Sequence, residues 1–236
     1  MFRIVCYVIS AILLLNCLAC QQGRCRKTEG NTSDNWTLLF DGSSLEQWQS
    51  STTVENISIC WQIQDGELLG IPKSKRPKDA HASLLTKKRF SNFELEFEFK
   101  LEAPTKENAT NGGVKYFVYP NTELGLEFQL YARVGEIPGP YATADLYDIF
   151  AATGAQLRPF DEWNSARIVS HGNMCEHWLN GTKVLVYERG GQSFRAAIAR
   201  SKFKDREGFG ELQAGHIMLQ DYTGGVGFRN IRIREL

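Results

Sequence analysis

The chain has 236 residues, enough for one large domain or two small ones with a substantial core. Lys plus Arg equals Asp plus Glu at 27 each, and no basic stripe or run of like charge interrupts that balance. Nucleic acid and an anionic membrane surface are therefore poor candidates for a partner.

The first twenty residues, MFRIVCYVISAILLLNCLAC, combine Arg3, an apolar stretch and a small-residue end. They are too short and wrongly flanked for a transmembrane helix and read as a secretory signal peptide. Cys20 follows CLA and precedes QQG, as in the lipobox of a bacterial lipoprotein, whereas Asn16 makes Cys17 a worse fit. We expect Cys20 to be lipidated, with an ordinary secreted protein as the alternative. The protein would then sit in the bacterial cell envelope and meet the membrane only through its lipid. Residues 21–35 have the composition of a flexible linker, and one domain is expected over 36–236.

With Cys20 as anchor, Cys25, Cys60 and Cys175 remain. An odd number without CxxC spacing is neither a disulfide framework nor a zinc site, although a Cys60–Cys175 bridge stays open. The N-x-S/T sequons at Asn31, Asn35, Asn56, Asn108 and Asn180 are chance matches in a bacterial protein.

From Trp36 onward, extended segments follow one another. SNFELEFEFKL alternates strictly, with Phe93, Leu95, Phe97, Phe99 and Leu101 on one face and Glu94, Glu96, Glu98 and Lys100 on the other. GGVKYFVYP sets Lys115, Phe117 and Tyr119 opposite Val114, Tyr116 and Val118. LGLEFQLYA sets Glu127, Gln129 and Tyr131 opposite Leu126, Phe128 and Leu130. CEHWLNGTKVLVYE is a hairpin around Asn180-Gly181, since a two-residue type I′ loop needs positive φ at both positions. Pairing outward from that turn sets His177 against Val184 and Cys175 against Val186, so His177 shares an apolar face. SFRAAIARSKFKD, 193–205, could hold one or two helical turns as a crossover over one end. GHIMLQDY and VGFRNIRIREL complete the pattern. Many short strands without long helical periods predict an all-β sandwich of two antiparallel sheets.

The chain contains no GxSxG, no HExxH and no glycine-rich phosphate loop before a helix. Glu94, Glu96 and Glu98 lack the central aspartate of a retaining sandwich-fold glucanase and read as a solvated outer face. The faces carrying Lys115 and Glu127 mix ammonium, carboxylate, amide and aromatic groups. They suit either a sugar groove or a plain Lys–Glu cross-strand pair. A histidine on an apolar face, such as His177, is usually core and sometimes a site.

The segments WTLLFDGSSLEQWQS, WQIQDGELLG, FELEFEFKL, NGGVKYFVYP, LEFQL, LYDIF, EWNSARIVSHGNMCEHWLNGTKVLVYE, RSKFKDREGFGE, GHIMLQDY and VGFRNIRIREL together resemble the 3-keto-disaccharide hydrolase domain family. The resemblance spans about residues 36–236. It implies a concanavalin A-like jelly roll and cleavage of glycosides oxidised at C3, with an oxidised carbohydrate as ligand. It also implies Glu127 or His177 as base, Lys115 as electrophile or proton donor, and Gln129, Tyr131, Asp145, Tyr147, Gln220 and Asp221 as substrate-binding residues. His177 should then lie within reach of Glu127 or Lys115. A divalent metal could serve as electrophile, but the ligand set is too thin to assign one. Two departures stand out: Tyr222 replaces the histidine of a QDH motif, and YARVGEIPGP, with Glu136 as its one acidic residue, lacks the several acidic residues and the His-Pro-Asp segment that relatives carry. The alternative is a non-catalytic carbohydrate-binding lipoprotein with Tyr119, Tyr131 and Trp178 in a shallow groove. A structural surface lipoprotein would have no organised pocket.

Overall fold

A computed structural model of the chain describes residues 35–53, 57–137 and 139–236. The expected signal peptide, Cys20 and all but the last residue of the expected linker lie outside these residues. In chain order the strands are β1 (Thr37–Phe40), β2 (Trp48–Ser50), β3 (Trp61–Gln64), β4 (Glu67–Gly70), β5 (Leu84–Phe90), β6 (Phe93–Leu101) and β7 (Thr110–Val118). They continue as β8 (Leu126–Ala132), β9 (Asn164–His171), β10 (Met174–Leu179) and β11 (Thr182–Glu188). A short helix α1 (Gln192–Ile198) precedes β12 (Gly215–Leu219) and β13 (Val226–Glu235). The strands make two antiparallel sheets, as the alternation predicts: an eight-stranded sheet ordered β11-β10-β9-β6-β13-β4-β3, with β1 also on β13, and a five-stranded sheet ordered β2-β5-β12-β7-β8.

The apolar face of β6 explains why the sheets stack. Phe93, Leu95, Phe97, Phe99 and Leu101 are all buried, and Phe97 meets Phe128 of the other sheet edge-on with centroids 5.7 Å apart. Full burial of each such side chain contributes about 1.5–3 kcal/mol. The glutamates of the same strand face outward, where Arg229 holds Glu98, Arg232 holds Glu96, and Arg167 and Arg234 hold Glu94. This is the solvated face that the alternation predicts.

The structure corrects the sequence pattern at two strands. In the hairpin, Leu179 pairs with Thr182 as expected, but the register shifts between His177 and Trp178, so His177 faces Leu185 and Cys175 faces Tyr187. One extra residue in β11 reverses its parity. Val184 and Tyr187 therefore both turn inward, and Tyr187 joins the face of His177 rather than that of Trp178. In β7, Phe117 has a φ of +52°, which breaks the alternation. Phe117 consequently enters the core against Phe93 instead of sharing the face of Lys115, while Val118 packs with Leu85 and Met218. Cys60 and Cys175 are separate buried free thiols, not a bridge.

Candidate active site

The site is built on the outward face of the five-stranded sheet. Val114, Tyr116, Leu126 and Phe128 are committed to the core, so parity turns Lys115 of β7 and Glu127 of β8 outward. The antiparallel register sets them directly opposite, with Lys115 Nζ 3.7 Å from Glu127 Oε2. Gln220, one residue beyond β12, spans the pair. Its amide nitrogen donates to Glu127 Oε1 at 3.0 Å and its carbonyl oxygen accepts from Lys115 Nζ at 3.1 Å, the orientation that satisfies both neighbours. Lys115 Nζ also donates to the Glu123 carbonyl at 3.1 Å. Gly113 is required beneath them, because a Cβ there would stand 2.2 Å from Glu127 Oε1.

Glu127 is 6 % exposed, and burial raises its carboxyl above the usual carboxylate range, against the opposing charges of Lys115 and Lys202. It sits in an open cleft of about 450 Å³ that is also lined by Lys115, Glu123, Lys202, Phe203 and Arg206. Segment 193–205 therefore walls this cleft: after α1 the chain turns Lys202 and Phe203 toward it. Buried Arg189 fixes the chain that follows by donating to the carbonyls of Gly210 and Leu212 at 3.0 and 2.8 Å. The β7–β8 loop, Thr122 to Gly125, lines the cleft as well, and the segment after β8 stands beside Lys202. Tyr147 N donates to the Glu127 carbonyl at 3.0 Å, and Lys202 Nζ lies 4.1 Å above the Tyr147 ring. Asp148 ties the segment after β8 to residues 193–205, accepting from Lys202 N at 2.7 Å and from Tyr141 Oη at 2.6 Å. Burial raises the Tyr147 hydroxyl, and the charge of Glu127 adds to that shift.

A second polar group adjoins the cleft. His81 Nε2 is 2.8 Å from Glu123 Oε1, and Ser51 Oγ donates to the same oxygen at 2.5 Å. The other ring nitrogen, Nδ1, faces Asp221 Oδ2 at 3.4 Å. Asp221 is buried in a two-pronged ion pair with Arg76, at 2.7 and 2.8 Å, and takes a further bond from Ala82 N at 3.0 Å. Because Gln220 and Asp221 are consecutive, the end of β12 joins this group to the Lys115–Glu127 pair.

Residues 35–234 match the model of the 3-keto-alpha-glucoside-1,2-lyase-like domain. The chain belongs to this family. A Bacteroides thetaiotaomicron protein named 3-keto-disaccharide hydrolase is 26% identical, with 86% of this chain and 79% of the relative covered. The crystal structure of a candidate glycosyl hydrolase from Parabacteroides distasonis ATCC 8503 superposes with a TM-score of 0.73 at 25% identity, over 89% of this chain and 97% of that one. A second from the same organism shows the same fold, with a TM-score of 0.66 at 24% identity over 85% and 99% of the two chains.

Of the residues that the family resemblance singled out, Lys115 and Glu127 line the cleft, Gln220 bridges the two, Tyr147 stands under Lys202, and Asp221 follows Gln220. His177 does not join them. It is fully buried between the sheets, where its ring contacts Phe128 at 4.8 Å and Nδ1 donates to the Ala144 carbonyl at 2.8 Å. A carbonyl can only accept, so Nε2 accepts in turn from Tyr116 Oη at 2.7 Å, and Tyr116 is bonded to Tyr187 Oη at 2.6 Å. Burial lowers the His177 pKa from 6.5 to about 4. The expected approach of His177 to Lys115 or Glu127 fails because β7 and β8 stand between them: Tyr116 and Phe128 face His177, while Lys115 and Glu127 face away.

Asp145 is likewise internal, each oxygen taken by a backbone donor, Ala142 N and Ala152 N, both at 2.7 Å. It organises the segment that carries Tyr147. Gln129 is buried with its Oε1 accepting from Leu130 N at 3.1 Å, and Tyr131 stands half-exposed farther along β8. Neither lines the cleft. The aromatic groove of the binding alternative does not assemble: Tyr119 Oη is tied to the Gly208 carbonyl at 2.7 Å, and Trp178 lies on the other sheet against Arg167. His81, Glu123, Lys202 and Arg206 were not legible as site residues, since each lies on a connection without periodicity. Among the described residues, no three His, Cys, Asp or Glu side chains form a group that could hold a metal. The nearest approach, His81 with Asp221 and Glu123, has both carboxylates already engaged by Arg76, Ala82 N and Ser51.

Proposed function

We propose that this domain cleaves glycosides oxidised at C3 by elimination followed by hydration, in the bacterial cell envelope and anchored through Cys20. The family and the name of the Bacteroides relative support the substrate class. The observation that carries the mechanism is Glu127, a buried carboxylate held between an ammonium and an amide at an open cleft.

A C3 ketone acidifies the hydrogen on C2. Once a base removes it, the electron pair becomes the C1–C2 double bond and the aglycone leaves from C1. Water then adds to the enone, giving net hydrolysis. Glu127 is the base, and burial keeps its oxygens poorly solvated and reactive toward a carbon acid. Lys115 is the electrophile. Its ammonium, already fixed by the Glu123 carbonyl and Gln220, stabilises the negative charge that develops on the C3 oxygen. Phe203 offers an apolar face to the sugar ring, and Lys202 and Arg206 line the cleft beside it. Incubation with 3-keto-glucosides beside their unoxidised parents, followed by mass, tests the reading. Release from the keto substrate alone supports it; release only from the unoxidised glycoside, or no release from either, rejects it.

A further inference from the structure

Elimination moves two protons. Glu127 removes one from C2, and the oxygen departing from C1 must acquire another unless it is the oxygen of a strong acid. Resting on the function proposed above, we propose that Glu123 and His81 are the second proton-transfer group, sharing one proton between Oε1 and Nε2 and delivering it to the aglycone oxygen.

Three observations support the assignment. Glu123 lines the same cleft as Lys115 and Glu127, and the Lys115 ammonium donates to its backbone carbonyl, so the loop carrying it is registered against the base. Its Oε1 receives His81 Nε2 and Ser51 Oγ, which leaves Oε2 without a protein donor among the described residues and directs that oxygen as the free one. Finally, the pair is graded from interior to solvent. The side chains of Arg76 and Asp221 are 1% and 2% exposed, whereas those of His81 and Glu123 are 37% and 28% exposed. Asp221, clamped by Arg76 and Ala82 N, stands 3.4 Å from His81 Nδ1, while Nε2 faces Glu123 at 2.8 Å. The exposed half of the pair can reload its proton from water.

The proton inventory closes without any further reactant. In the first half, the C2 proton passes to the Glu127 carboxylate, the C1–O bond breaks, and the proton shared by Glu123 and His81 goes to the leaving oxygen. In the second half, water adds to C1, its proton returns to the Glu123–His81 pair, and Glu127, whose proton has exchanged with solvent in the open cleft, protonates C2. No atom is oxidised or reduced, and both groups end as they began. Glu123 here is a proton carrier and forms no bond to the sugar.

The test compares the parent, Glu123→Gln and His81→Gln on 3-keto-glucosides of methanol and of 4-nitrophenol, with C2–H exchange in D2O measured beside aglycone release. Nitrophenolate departs without help, whereas methoxide needs the proton. Glu123→Gln should lose about 10²–10³-fold on the methyl glycoside but less than about tenfold on the nitrophenyl one, the usual range for removing a general acid. His81→Gln should show the same selectivity with a smaller loss. Both variants should still exchange the C2 hydrogen of the methyl substrate, a step that needs only Glu127. Equal losses on the two substrates, loss of exchange together with release, or no loss at all would overturn the assignment. If the parent releases neither aglycone, the proposed function itself fails and this inference falls with it.

Discussion

Replacing His177 by Leu keeps the volume of a side chain that touches the rings of Phe128, Tyr116 and Tyr187, so the packing change should be small. The polar cost is not small. The Ala144 carbonyl loses its donor and the Tyr116 hydroxyl loses its acceptor, both inside the core. Each buried group left unsatisfied costs about 1–3 kcal/mol, which gives about 4 kcal/mol for the pair and, for a domain of this size, a Tm lower by about 8–16 °C.

The acid limb distinguishes this account from generic damage. With a folded pKa of about 4 against 6.5 in the free side chain, the unfolded chain binds the extra proton first as the pH falls. The parent's stability from neutral His177 is thus complete above pH 6.5 and is lost progressively toward pH 4. At about 1.4 kcal/mol per pH unit, the parent should lose about 2.5 kcal/mol between pH 7.5 and 4.5 through this one residue. The leucine variant lacks that loss, so its deficit should shrink from about 4 to about 1.5 kcal/mol across the same interval. Urea unfolding of both proteins at the two pH values measures it. An undiminished deficit at pH 4.5, or no deficit at pH 7.5, refutes the core role. Turnover by the folded variant should stay within about tenfold of the parent, because the ring faces away from the groups that carry the acid–base chemistry.

Gly113→Ala should place a methyl where the Glu127 carboxylate lies, and the carboxylate can swing away; stability should fall by less than about 2 kcal/mol while kcat/KM falls at least about 100-fold, read by urea unfolding beside kinetics. Glu127→Gln should abolish C2–H exchange and release together, with a loss of about 10²–10⁴ in kcat/KM. Because burial raises the Glu127 pKa and the base must be ionised, kcat/KM should rise with pH through a limb above 4.5, the ordinary value for glutamate; a limb at or below 4.5 would count against Glu127 as base. Arg76→Met should destabilise the fold by about 3–5 kcal/mol by leaving the buried Asp221 charge unpaired, and Asp221→Leu in the same chain should recover part of that loss in urea unfolding.

The sheets were legible because period-2 alternation in stretches such as Phe93–Leu101 is a direct record of one buried face. Lys115 and Glu127 were legible for the same reason: each sits between core positions on a regular part of its strand. Legibility failed where the backbone departs from that regularity. Nothing local marks the positive φ at Phe117 or the extra residue in β11, so both parity reversals were missed. His81 and Asp221 are 140 positions apart and meet because the chain entering β5 runs beside the end of β12, an adjacency set by sheet order alone. His177 shows the reverse situation. Its apolar face argued for the core, and that local argument describes its surroundings better than the site role taken from resemblance.

The central claim is that Glu127 removes the C2 proton of a 3-keto-glycoside. Reaction of a methyl 3-keto-glucoside in D2O, with the released sugar analysed by NMR for deuterium at C2, tests it most directly, with Glu127→Gln run in parallel. The account predicts deuterium at C2 in the parent's product and neither exchange nor release by the variant. Release of a sugar that retains its original hydrogen at C2 would mean direct displacement at C1 and would contradict the account.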